Sequence, residues 1–337
     1  MPANLSPEYK QAEQAYRAAR APRERLACLK EMLRTIPKHK GTEHLQADIK
    51  SRIKELSDEL AGPKKGGARS AQGYAVRHEG AAQVCLVGPP NSGKSTLHAA
   101  LTGSKSEVGP FPYTTKFPVP GMLPFEDIVF QLLDLPPVSR EHMEPSLLGA
   151  LQGADAAWLV VDLADPECTD HVSLIVEELA RRKITLEQRW PGLDGVLEAD
   201  DDVFGVRLPT LLVANKSDLD PDPDEVKVLE ELLGIRYPAL AVSAARGANL
   251  GELAPFLFRA LGIVRVYSKV PGKPPDRQRP FTVRAGGRVI DVARLVHQDV
   301  AATLKYARVW GSGEFDGQQV GPERRVADGD VLELHAR

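Results

Sequence analysis

Nine consecutive residues, 88–96, carry the most specific chemistry in this chain. They directly follow the apolar run 83–87, and their sequence Gly-Pro-Pro-Asn-Ser-Gly-Lys-Ser-Thr fits the pattern G-x-x-x-x-G-K-[ST]. Such a segment wraps around a phosphate between a buried strand and a helix, because its glycines let several backbone N–H groups point inward. Lys94 would bring a positive charge to the β- and γ-phosphates, and the Ser95 hydroxyl would ligate Mg²⁺. The pattern predicts a nucleoside triphosphate site made by Gly88, Pro89, Pro90, Asn91, Ser92, Gly93, Lys94, Ser95 and Thr96.

A second motif, Asn215-Lys216-Ser217-Asp218, predicts which base is bound. It follows the run 209–214, which is apolar enough to be a buried strand. Asp218 can accept hydrogen bonds from both N1–H and the exocyclic amine of guanine, and adenine lacks this pair of donors. Since an unpaired buried carboxylate is costly, such a site discriminates between the two bases. The stem of Lys216 can lie over the base while Asn215 braces the loop.

A third segment, Ser243-Ala244-Ala245, follows another short apolar run and can offer a backbone N–H to the guanine O6. An Asn-Lys-Ser-Asp sequence alone is also compatible with an ordinary solvated turn. Its place downstream of a phosphate-binding loop, with Ser243 and Ala244 after it, favours a GTP-binding domain.

The composition predicts a globular protein of two or three domains. The chain has 337 residues, of which 42% are hydrophobic and 26% charged, as is usual for soluble proteins. It contains no apolar run long enough to span a membrane and no apolar signal core in residues 1–5, so we expect no membrane contact and a cytoplasmic location. Cys28, Cys85 and Cys168 lack metal-ligand spacing, which fits a reducing compartment, and Cys85 is expected in the core.

Positive charge is concentrated at both ends of the chain. Residues 1–80 contain 16 Lys/Arg against 10 Asp/Glu, and residues 266–337 contain 12 against 9, although the net charge of the whole chain is -3. Basic segments on either side of an acidic middle favour contact with an anion such as RNA. For the N-terminal part, the alternative of an ordinary solvated helical face stays open.

Periodicity divides the chain into a helical N-terminal region, 1–62, a basic linker, 63–79, a central domain, 80–265, and a C-terminal domain, 266–337. In the central domain, apolar strands alternate with amphipathic helices, which predicts the α/β class with a mostly parallel sheet and helices on both faces. The polar and acidic residues 183–207 interrupt the alternation and predict a small insertion or extended loop. Strands are predicted at 83–87, 128–133, 156–162, 208–214 and 239–243, and helices at 94–102, 145–152, 170–182, 224–233 and 249–261.

The two ends of the chain have different patterns. Pro7 to Leu33 and Thr42 to Leu60 each predict one helix. After residue 266, short strand candidates surround one helical stretch, Asp291 to Val300, so we expect a small α+β domain in which one sheet grasps one helix. Pro271 to Pro275 is predicted to be a linker. The strand candidates are Val266–Lys269, Phe281–Val283, Val289–Ile290, Val309–Trp310 and Val331–Leu334.

The whole chain resembles the developmentally regulated GTP-binding proteins, a branch of the Obg-related GTPases. The resemblance covers residues 30–337 and is carried by the loop 88–96, by the sequence PKHKGTEH at 37–44, and by C-terminal segments at 305–311 and 328–331. These last segments resemble a TGS domain, a β-grasp module also found in threonyl-tRNA synthetases. The resemblance implies a translation-associated GTPase that contacts ribosomes or tRNA through its basic N-terminal region and TGS domain. The family's inserted domain ahead of the guanine motif is reduced here to residues 183–207.

The segments that sense the γ-phosphate resemble the family and also depart from it. Residues 111–115 are similar to the first switch, and the resemblance implies that Thr115 closes on Mg²⁺ and the γ-phosphate. The second switch should have the pattern D-x-x-G, and Asp134 fits the position that holds Mg²⁺ through water. Pro137 has the place of the glycine whose backbone N–H binds the γ-phosphate, and proline lacks this N–H. Either sensing is weakened or a neighbouring N–H, such as that of Val138, replaces it.

Catalysis by this chain needs a substitute for a missing side chain. Val138 stands where Ras-like proteins carry a water-orienting Gln, and valine neither donates nor accepts a hydrogen bond. The resemblance implies a class of GTPases with a hydrophobic residue here, in which hydrolysis needs help from elsewhere. In some related GTPases an Asn at the position of Asn91 coordinates K⁺, which supplies charge between the phosphates. The alternative is that Asn91 only shapes the loop. The catalytic candidates are Asn91, Lys94, Thr115 and Val138.

Three functions are compatible with these residues. The first is a GTP hydrolase of low intrinsic rate that uses GTP, Mg²⁺ and, in one alternative, K⁺, and acts as a conformational switch on RNA or ribosomes. The second, favoured by Pro137 and Val138, is a guanine-nucleotide-gated RNA-binding or assembly protein that barely hydrolyses GTP. The third is a phosphotransferase with the same loop, which the guanine motif disfavours. The sequence leaves the oligomeric state open.

Overall fold

A computed structural model describes residues 5–19, 22–37, 42–61, 76–104, 117–138, 145–162, 164–195, 204–219, 225–234 and 236–336. The chain begins with three helices, α1 (Pro7–Ala18), α2 (Pro22–Thr35) and α3 (Glu43–Ala61).

The prediction of one helix from Pro7 to Leu33 is therefore wrong. The first helix ends at Ala19, whose backbone is extended. A new helix starts at Pro22, because the fixed φ of proline suits the first position of a helix.

The three helices share a hydrophobic core. Tyr9, Leu29, Met32 and Ile49 are fully or almost fully buried there, and the same core contains Phe204 from the central part of the chain. A helical region this small buries little apolar surface by itself. Its packing on Phe204 therefore ties it to the rest of the molecule.

The central part of the chain is a seven-stranded sheet with helices on both faces. Its strand order is β2-β3-β1-β4-β6-β5, with β7 also paired to β6, and all pairs are parallel except β2 with β3. This confirms the predicted α/β class, and the predicted strands and helices lie within a few residues of those observed. The elements are β1 (Gln83–Val87), α4 (Lys94–Thr102), β2 (Val119–Phe125), β3 (Ile128–Asp134), α5 (Pro145–Gly153), β4 (Ala156–Asp162), α6 (Cys168–Ala180), β5 (Ile184–Glu187), α7 (Pro191–Asp194), β6 (Val206–Asn215), α8 (Glu225–Leu233), β7 (Ala239–Ala241) and α9 (Leu253–Ala260).

Both faces of the sheet are buried. Along β1, Leu86 packs with α4 and α9 on one face, and Cys85 packs with α5, α6 and α8 on the other. The expected burial of Cys85 is confirmed. Since all strands but one run in the same direction, the carboxyl ends of β1, β3, β4 and β6 meet at one edge, which is where ligands bind in sheets of this kind.

Two features of the central domain differ from the predictions. Strand β2 was not predicted, because Pro120 and Pro124 interrupt its apolar pattern; as an edge strand it pairs on one side only, which tolerates proline. Residues 183–207 are not simply a loop, since β5 pairs with the beginning of β6 and α7 follows it. Residues 196–203 of that segment lie outside the described part, as do residues 63–75 of the predicted linker.

The C-terminal part is a five-stranded mixed sheet packed against two short helices. Its strand order is β11-β10-β12-β8-β9. The single helical stretch predicted from Asp291 to Val300 is two helices, separated by the extended backbone of His297. The elements are β8 (Ile263–Ser268), β9 (Asp276–Arg284), α10 (Val289–Val296), α11 (Gln298–Thr303), β10 (Leu304–Trp310), β11 (Gln318–Val320) and β12 (Asp330–Ala336).

Three details of the C-terminal domain correct the predictions. Val289–Ile290 is not a strand but begins α10, because it is capped by Arg288 and Asp291 and faces the domain core. Pro271 to Pro275 is a loop between β8 and β9, not a linker ahead of the sheet. Strand β11 is only three residues long and too polar for its pattern to be seen. The four segments given above, with their three boundaries, stay predictions.

Polar contacts join the C-terminal domain to the central one. Arg265 on β8 bonds Glu126 and Asp127 in the turn between β2 and β3, and also Asp328 of its own domain. The Tyr267 hydroxyl donates to Asp127 at 2.5 Å. Within the described residues, no helix is long and apolar enough to cross a membrane.

Candidate functional site

The predicted phosphate loop lies between β1 and α4, at the carboxyl edge of the central sheet. A Cβ atom at Gly88 would lie 2.3 Å from the Val160 carbonyl oxygen, and one at Gly93 would lie 2.3 Å from Asn215 Nδ2. Gly93 also has a φ of 89° as the residue that caps α4. Both glycines are therefore required by close packing, and the N-terminus of α4 is open to an anion.

Lys94 is held inside this loop by backbone oxygens. Its Nζ donates to the carbonyls of Gly88 (3.0 Å) and Pro89 (2.8 Å), and only 6% of the residue is exposed. Burial lowers the pKa of Lys94 to about 8, while the charge of Asp134 opposes this shift. A phosphate in the loop would supply the counter-charge that the buried ammonium group needs.

Two of the three predicted magnesium ligands are already in contact. The Ser95 hydroxyl donates to Asp134 Oδ2 at 2.6 Å, and Asp134 is 1% exposed at the end of β3. A hydroxyl and a carboxylate are hard oxygen donors of the kind that Mg²⁺ prefers, so these residues fit that ion. The third predicted ligand, Thr115, lies outside the described residues together with the first switch, 111–115.

Asn215 connects the three predicted motifs. Its Nδ2 donates to the Ser92 carbonyl at 3.0 Å, and its Oδ1 accepts from the Ala244 N–H at 3.0 Å. In addition, the Ser217 N–H donates to the Val242 carbonyl. The asparagine predicted to brace the loop thus fixes the phosphate loop, the base motif and the third segment relative to one another.

The Asp218 side chain accepts a hydrogen bond from Ser243. A hydrogen bond from the Ser243 hydroxyl holds the pKa of Asp218 below its usual value, and Arg246 Nε, 3.9 Å away, acts in the same direction. Ser243 itself is fully buried. Because the Ala244 N–H is already bonded to Asn215, the guanine O6 would have to share that donor or use the N–H of Ala245.

One residue of the site, Asp162, was missed by the sequence analysis. It ends β4 beside Asn215 on β6, and its Oδ2 bonds the Lys216 ammonium at 2.5 Å. Its Oδ1 accepts from the Ala164 N–H at 3.0 Å, so the carboxylate is itself held in place. Lys216 has a φ of 61°, in the left-handed region. A polar residue ending a buried strand at the carboxyl edge was the signal that could have found Asp162.

The second switch follows directly from β3 and is packed into the core. Val138 is 1% exposed and lies in the cluster with Leu135 and Leu147, and its N–H donates to the Gly88 carbonyl at 3.3 Å. The N–H suggested as a replacement donor for Pro137 is therefore bonded to the phosphate loop here. Asn91 is exposed with a φ of 62°, which asparagine tolerates well and which agrees with a loop-shaping role; its role toward K⁺ stays a prediction.

Comparison with known proteins agrees with this geometry. Residues 83–190 match the family described as 50S ribosome-binding GTPase, and residues 264–336 match the TGS domain. An uncharacterized GTP-binding protein of Methanocaldococcus jannaschii is 31% identical, with 92% of this chain and 92% of that protein covered. Developmentally-regulated G-protein 1 of Arabidopsis thaliana is 27% identical, with 90% of this chain and 88% of that protein covered.

Solved structures share the fold at lower identity. A GTP-binding protein from Pyrococcus horikoshii has a TM-score of 0.51 at 18% identity, covering 76% of this chain and 100% of its own. The YchF GTPase of Schizosaccharomyces pombe has a TM-score of 0.54 at 13% identity, covering 77% and 99%.

The fold and the site together define a P-loop GTPase with a C-terminal TGS domain. The chain belongs to the developmentally regulated GTP-binding proteins, which are related to the Obg GTPases. It is a GTP-binding protein and a GTPase.

Proposed function

We propose that this protein is a switch on the translation machinery, in the cytoplasm, which binds GTP with Mg²⁺ and hydrolyses it slowly without help. The observation that supports this most is the pair of hydrogen bonds from the Asn215 side chain to the backbone of Ser92 and Ala244. These bonds hold the phosphate loop and the base motif at a fixed separation. Such preorganisation suits a ligand with both a guanine base and a phosphate chain.

In this proposal each motif binds a different part of the nucleotide. The loop 88–96 surrounds the phosphates, Asp218 accepts from the guanine edge, and Lys216 lies over the base. Mg²⁺ would be held by Ser95, Thr115 and Asp134, and it would supply positive charge to the phosphates.

The Gly88 carbonyl offers a route from nucleotide to switch. It accepts from both the Lys94 ammonium and the Val138 N–H. When Lys94 turns to a phosphate, this carbonyl loses one of its two donors, and the bond that ties the second switch to the loop changes with it. The state of the phosphates is thereby coupled to the segment that begins at Asp134.

Hydrolysis without a partner should be slow. The Val138 side chain cannot form a hydrogen bond to an attacking water. It is also buried in the core and does not point into the nucleotide site. K⁺ coordinated by Asn91 is one source of the missing charge. The buried, apolar side chain of Val138 also favours a second candidate function. This is a nucleotide-gated RNA-binding or assembly protein whose cycle does not depend on hydrolysis.

The partner in this proposal is the ribosome or a tRNA. Its support is the match of residues 83–190 to a family described as 50S ribosome-binding, the TGS domain, and the basic charge of residues 1–80. The chemistry required of the protein is then a change of affinity for RNA-containing surfaces between its GTP and GDP forms.

Sedimentation with purified ribosomes and separated subunits tests the proposal. Binding should differ at least about fivefold between GDP and a non-hydrolysable GTP analogue, the lower end of usual coupling between two sites. The matched control is Lys94→Ala, which should bind no nucleotide and show no such difference. Equal sedimentation of the parent in both nucleotides would contradict a switch, and turnover measured with and without K⁺ and ribosomes separates the two candidate functions.

A further inference from the structure

A large cleft lies at the edge of the central sheet opposite the nucleotide site. It has a volume of about 1460 Å³ and is lined by residues of the helical region, the central domain and the C-terminal domain. Gln83, Ile128 and Asp155, at the beginnings of β1, β3 and β4, form its floor. Sites for small molecules have volumes of roughly 300–1,000 Å³, so this cleft suits an extended ligand.

The acidic side chains of the cleft are already paired. Asp155 bonds His78 at 2.6 Å and Arg284 at 2.8 Å. Asp127 bonds Arg265 at 3.0 Å. The third carboxylate, Asp291, bonds Arg294 at 2.9 Å and the backbone N–H of Arg288 at 2.9 Å. These carboxylates therefore do not neutralise the other cations of the cleft.

Three arginines of the cleft have no acidic partner among the described residues. Arg25 comes from α2, Arg77 from the segment before β1, and Arg279 from β9, so the three come from different parts of the chain. Arg77 and Arg279 are exposed. This arrangement spreads positive charge along the cleft rather than concentrating it at one point.

Two residues that line the cleft each have a buried polar atom that makes no hydrogen bond within the described chain. These atoms are Arg25 Nε and Ser146 Oγ, the second from a residue only 6% exposed near the start of α5. A buried donor without a partner costs free energy, and such atoms usually signal a missing ligand or water.

We propose that this cleft binds a single-stranded segment of RNA through its phosphodiester backbone. Arginine forks match phosphate oxygens, and the half-buried Phe281 and Pro280 at the cleft offer apolar surface to a base. The inference rests on the proposed ribosome-associated function and identifies the surface of the protein that would contact RNA. It also places the RNA and the nucleotide at opposite ends of the same parallel strands.

The test uses the full-length protein, a fluorescein-labelled oligouridylate of about 12 nucleotides, which spans one site of single-strand binding, and anisotropy at several KCl concentrations. Arg77→Ala combined with Arg279→Ala changes only exposed side chains, so folding should survive. Since each phosphate contact contributes about 0.7 to the slope of log affinity against log salt, the double variant should lower that slope by about 1.4. Arg25→Lys, which keeps the charge but loses the fork, should weaken binding with less effect on the slope.

Matched controls locate the effect. Arg236→Ala removes an exposed arginine outside the cleft, and Arg308→Ala removes one from β10. Both should bind the oligonucleotide like the parent, and all variants should bind GDP like the parent. Loss of binding in Arg308→Ala with none in the cleft variants would overturn the proposal.

The outcomes separate this inference from the proposed function. If the parent sediments with ribosomal subunits and the cleft variants bind oligouridylate as well as it does, the cleft proposal is overturned and the ribosomal one stands. If polyglutamate competes as effectively as RNA, the cleft serves an acidic polypeptide and the proposal is overturned. If the parent binds neither subunits nor oligouridylate, both proposals fall.

Discussion

At the scale of single residues, hydrogen bonds within the protein hold the parts of the site together. Asn215 satisfies a carbonyl of one loop and an N–H of another, and Asp162 holds Lys216 while its own second oxygen is bonded to backbone. The hydrogen-bonding groups of these two side chains are therefore occupied by partners within the protein. Asp218 and Lys94 are the residues left to exchange partners with the ligand, since their present partners are a hydroxyl and two carbonyls.

Changing Asp218 to Asn should change the base that is preferred. The amide oxygen can still accept from N1–H, but the amide NH₂ meets the exocyclic amine of guanine, which is also a donor, whereas xanthine has an acceptor carbonyl at that position. We expect GTP affinity to fall by about 100-fold or more, and xanthosine triphosphate to bind better than GTP. Calorimetry with both nucleotides measures this, and unchanged GTP affinity would remove Asp218 from the base site.

Changing Asp162 to Ala should loosen the base site without touching the phosphates. The Asp162–Lys216 contact is partly exposed, with 33% of the lysine side chain accessible, so screening limits its value. We expect GDP and GTP to bind roughly three- to tenfold more weakly, by the same factor. Asp165→Ala, in the same loop but bonded to His171, is the matched control. A change in GTP affinity alone would show that Asp162 acts on the phosphates instead.

Sequence reasoning located the motif residues because their spacing along the chain is fixed by the ligand. Gly88, Lys94 and Ser95 sit in one loop, and Asp218 follows its motif asparagine by three residues. Asp162 was missed because its partner is 54 residues away and the contact exists only once β4 and β6 are side by side. Long-range pairings of this kind are set by sheet order, which a local pattern does not encode.

At the scale of elements, the segment after β3 decides how the nucleotide is sensed. Proline at 137 removes one N–H, and the next N–H, that of Val138, is bonded to the Gly88 carbonyl. The burial of Val138 in the core makes this segment costly to move. Sensing through it must therefore break packing as well as a hydrogen bond.

Changing Pro137 to Gly should raise the preference for a GTP analogue over GDP. The restored N–H can bind the γ-phosphate, and one charge-assisted hydrogen bond of about 1.5–3 kcal/mol corresponds to a factor of roughly 10 or more. Turnover need not rise, because Val138 still orients no water. Kd values for GDP and the analogue give the ratio.

Pro137→Ala is the control for that experiment. Alanine restores the N–H without glycine's conformational freedom, so equal effects of Ala and Gly would assign the gain to the donor. If neither substitution alters the ratio, another N–H already senses the γ-phosphate.

Elements that were predicted correctly have strong periodicity, and those that were missed do not. Strand β2 contains two prolines and a glycine, and it is a strand only because β3 offers an edge. The break between α1 and α2 could have been read from Pro22, but the helical composition on both sides concealed it. In β2, pairing with a neighbouring strand determined the secondary structure more than the local composition did. Between α1 and α2, a single proline did so.

At the scale of the whole molecule, the C-terminal domain is attached to the turn of the β2–β3 hairpin, at the edge of the sheet opposite the nucleotide site and the two switches. The turn between β2 and β3 carries Glu126 and Asp127, and Arg265 and Tyr267 of β8 bind it. The chain enters β2 from the first switch and leaves β3 into the second. A shift of this hairpin on nucleotide exchange would therefore act directly on the C-terminal domain.

The last prediction concerns the strength and pH dependence of this attachment. Burial raises the pKa of Asp127, but the hydrogen bonds from Tyr267 and Arg265 outweigh it and hold that pKa below its usual value. A carboxylate of this kind stabilises the folded state above its unfolded pKa of about 3.9, and this contribution is lost as the pH falls through the lower folded value. A double-mutant cycle of Arg265→Ala and Asp127→Asn should give a coupling energy of about 1–2 kcal/mol, measured by hydrogen exchange of the β8 amides. The coupling should be constant between pH 7 and pH 5 and shrink only below about pH 4. Tyr267→Phe should remove part of the stabilisation while leaving the arginine contact intact. A coupling near zero, or one that changes around neutral pH, would mean that the hairpin turn does not hold the C-terminal domain.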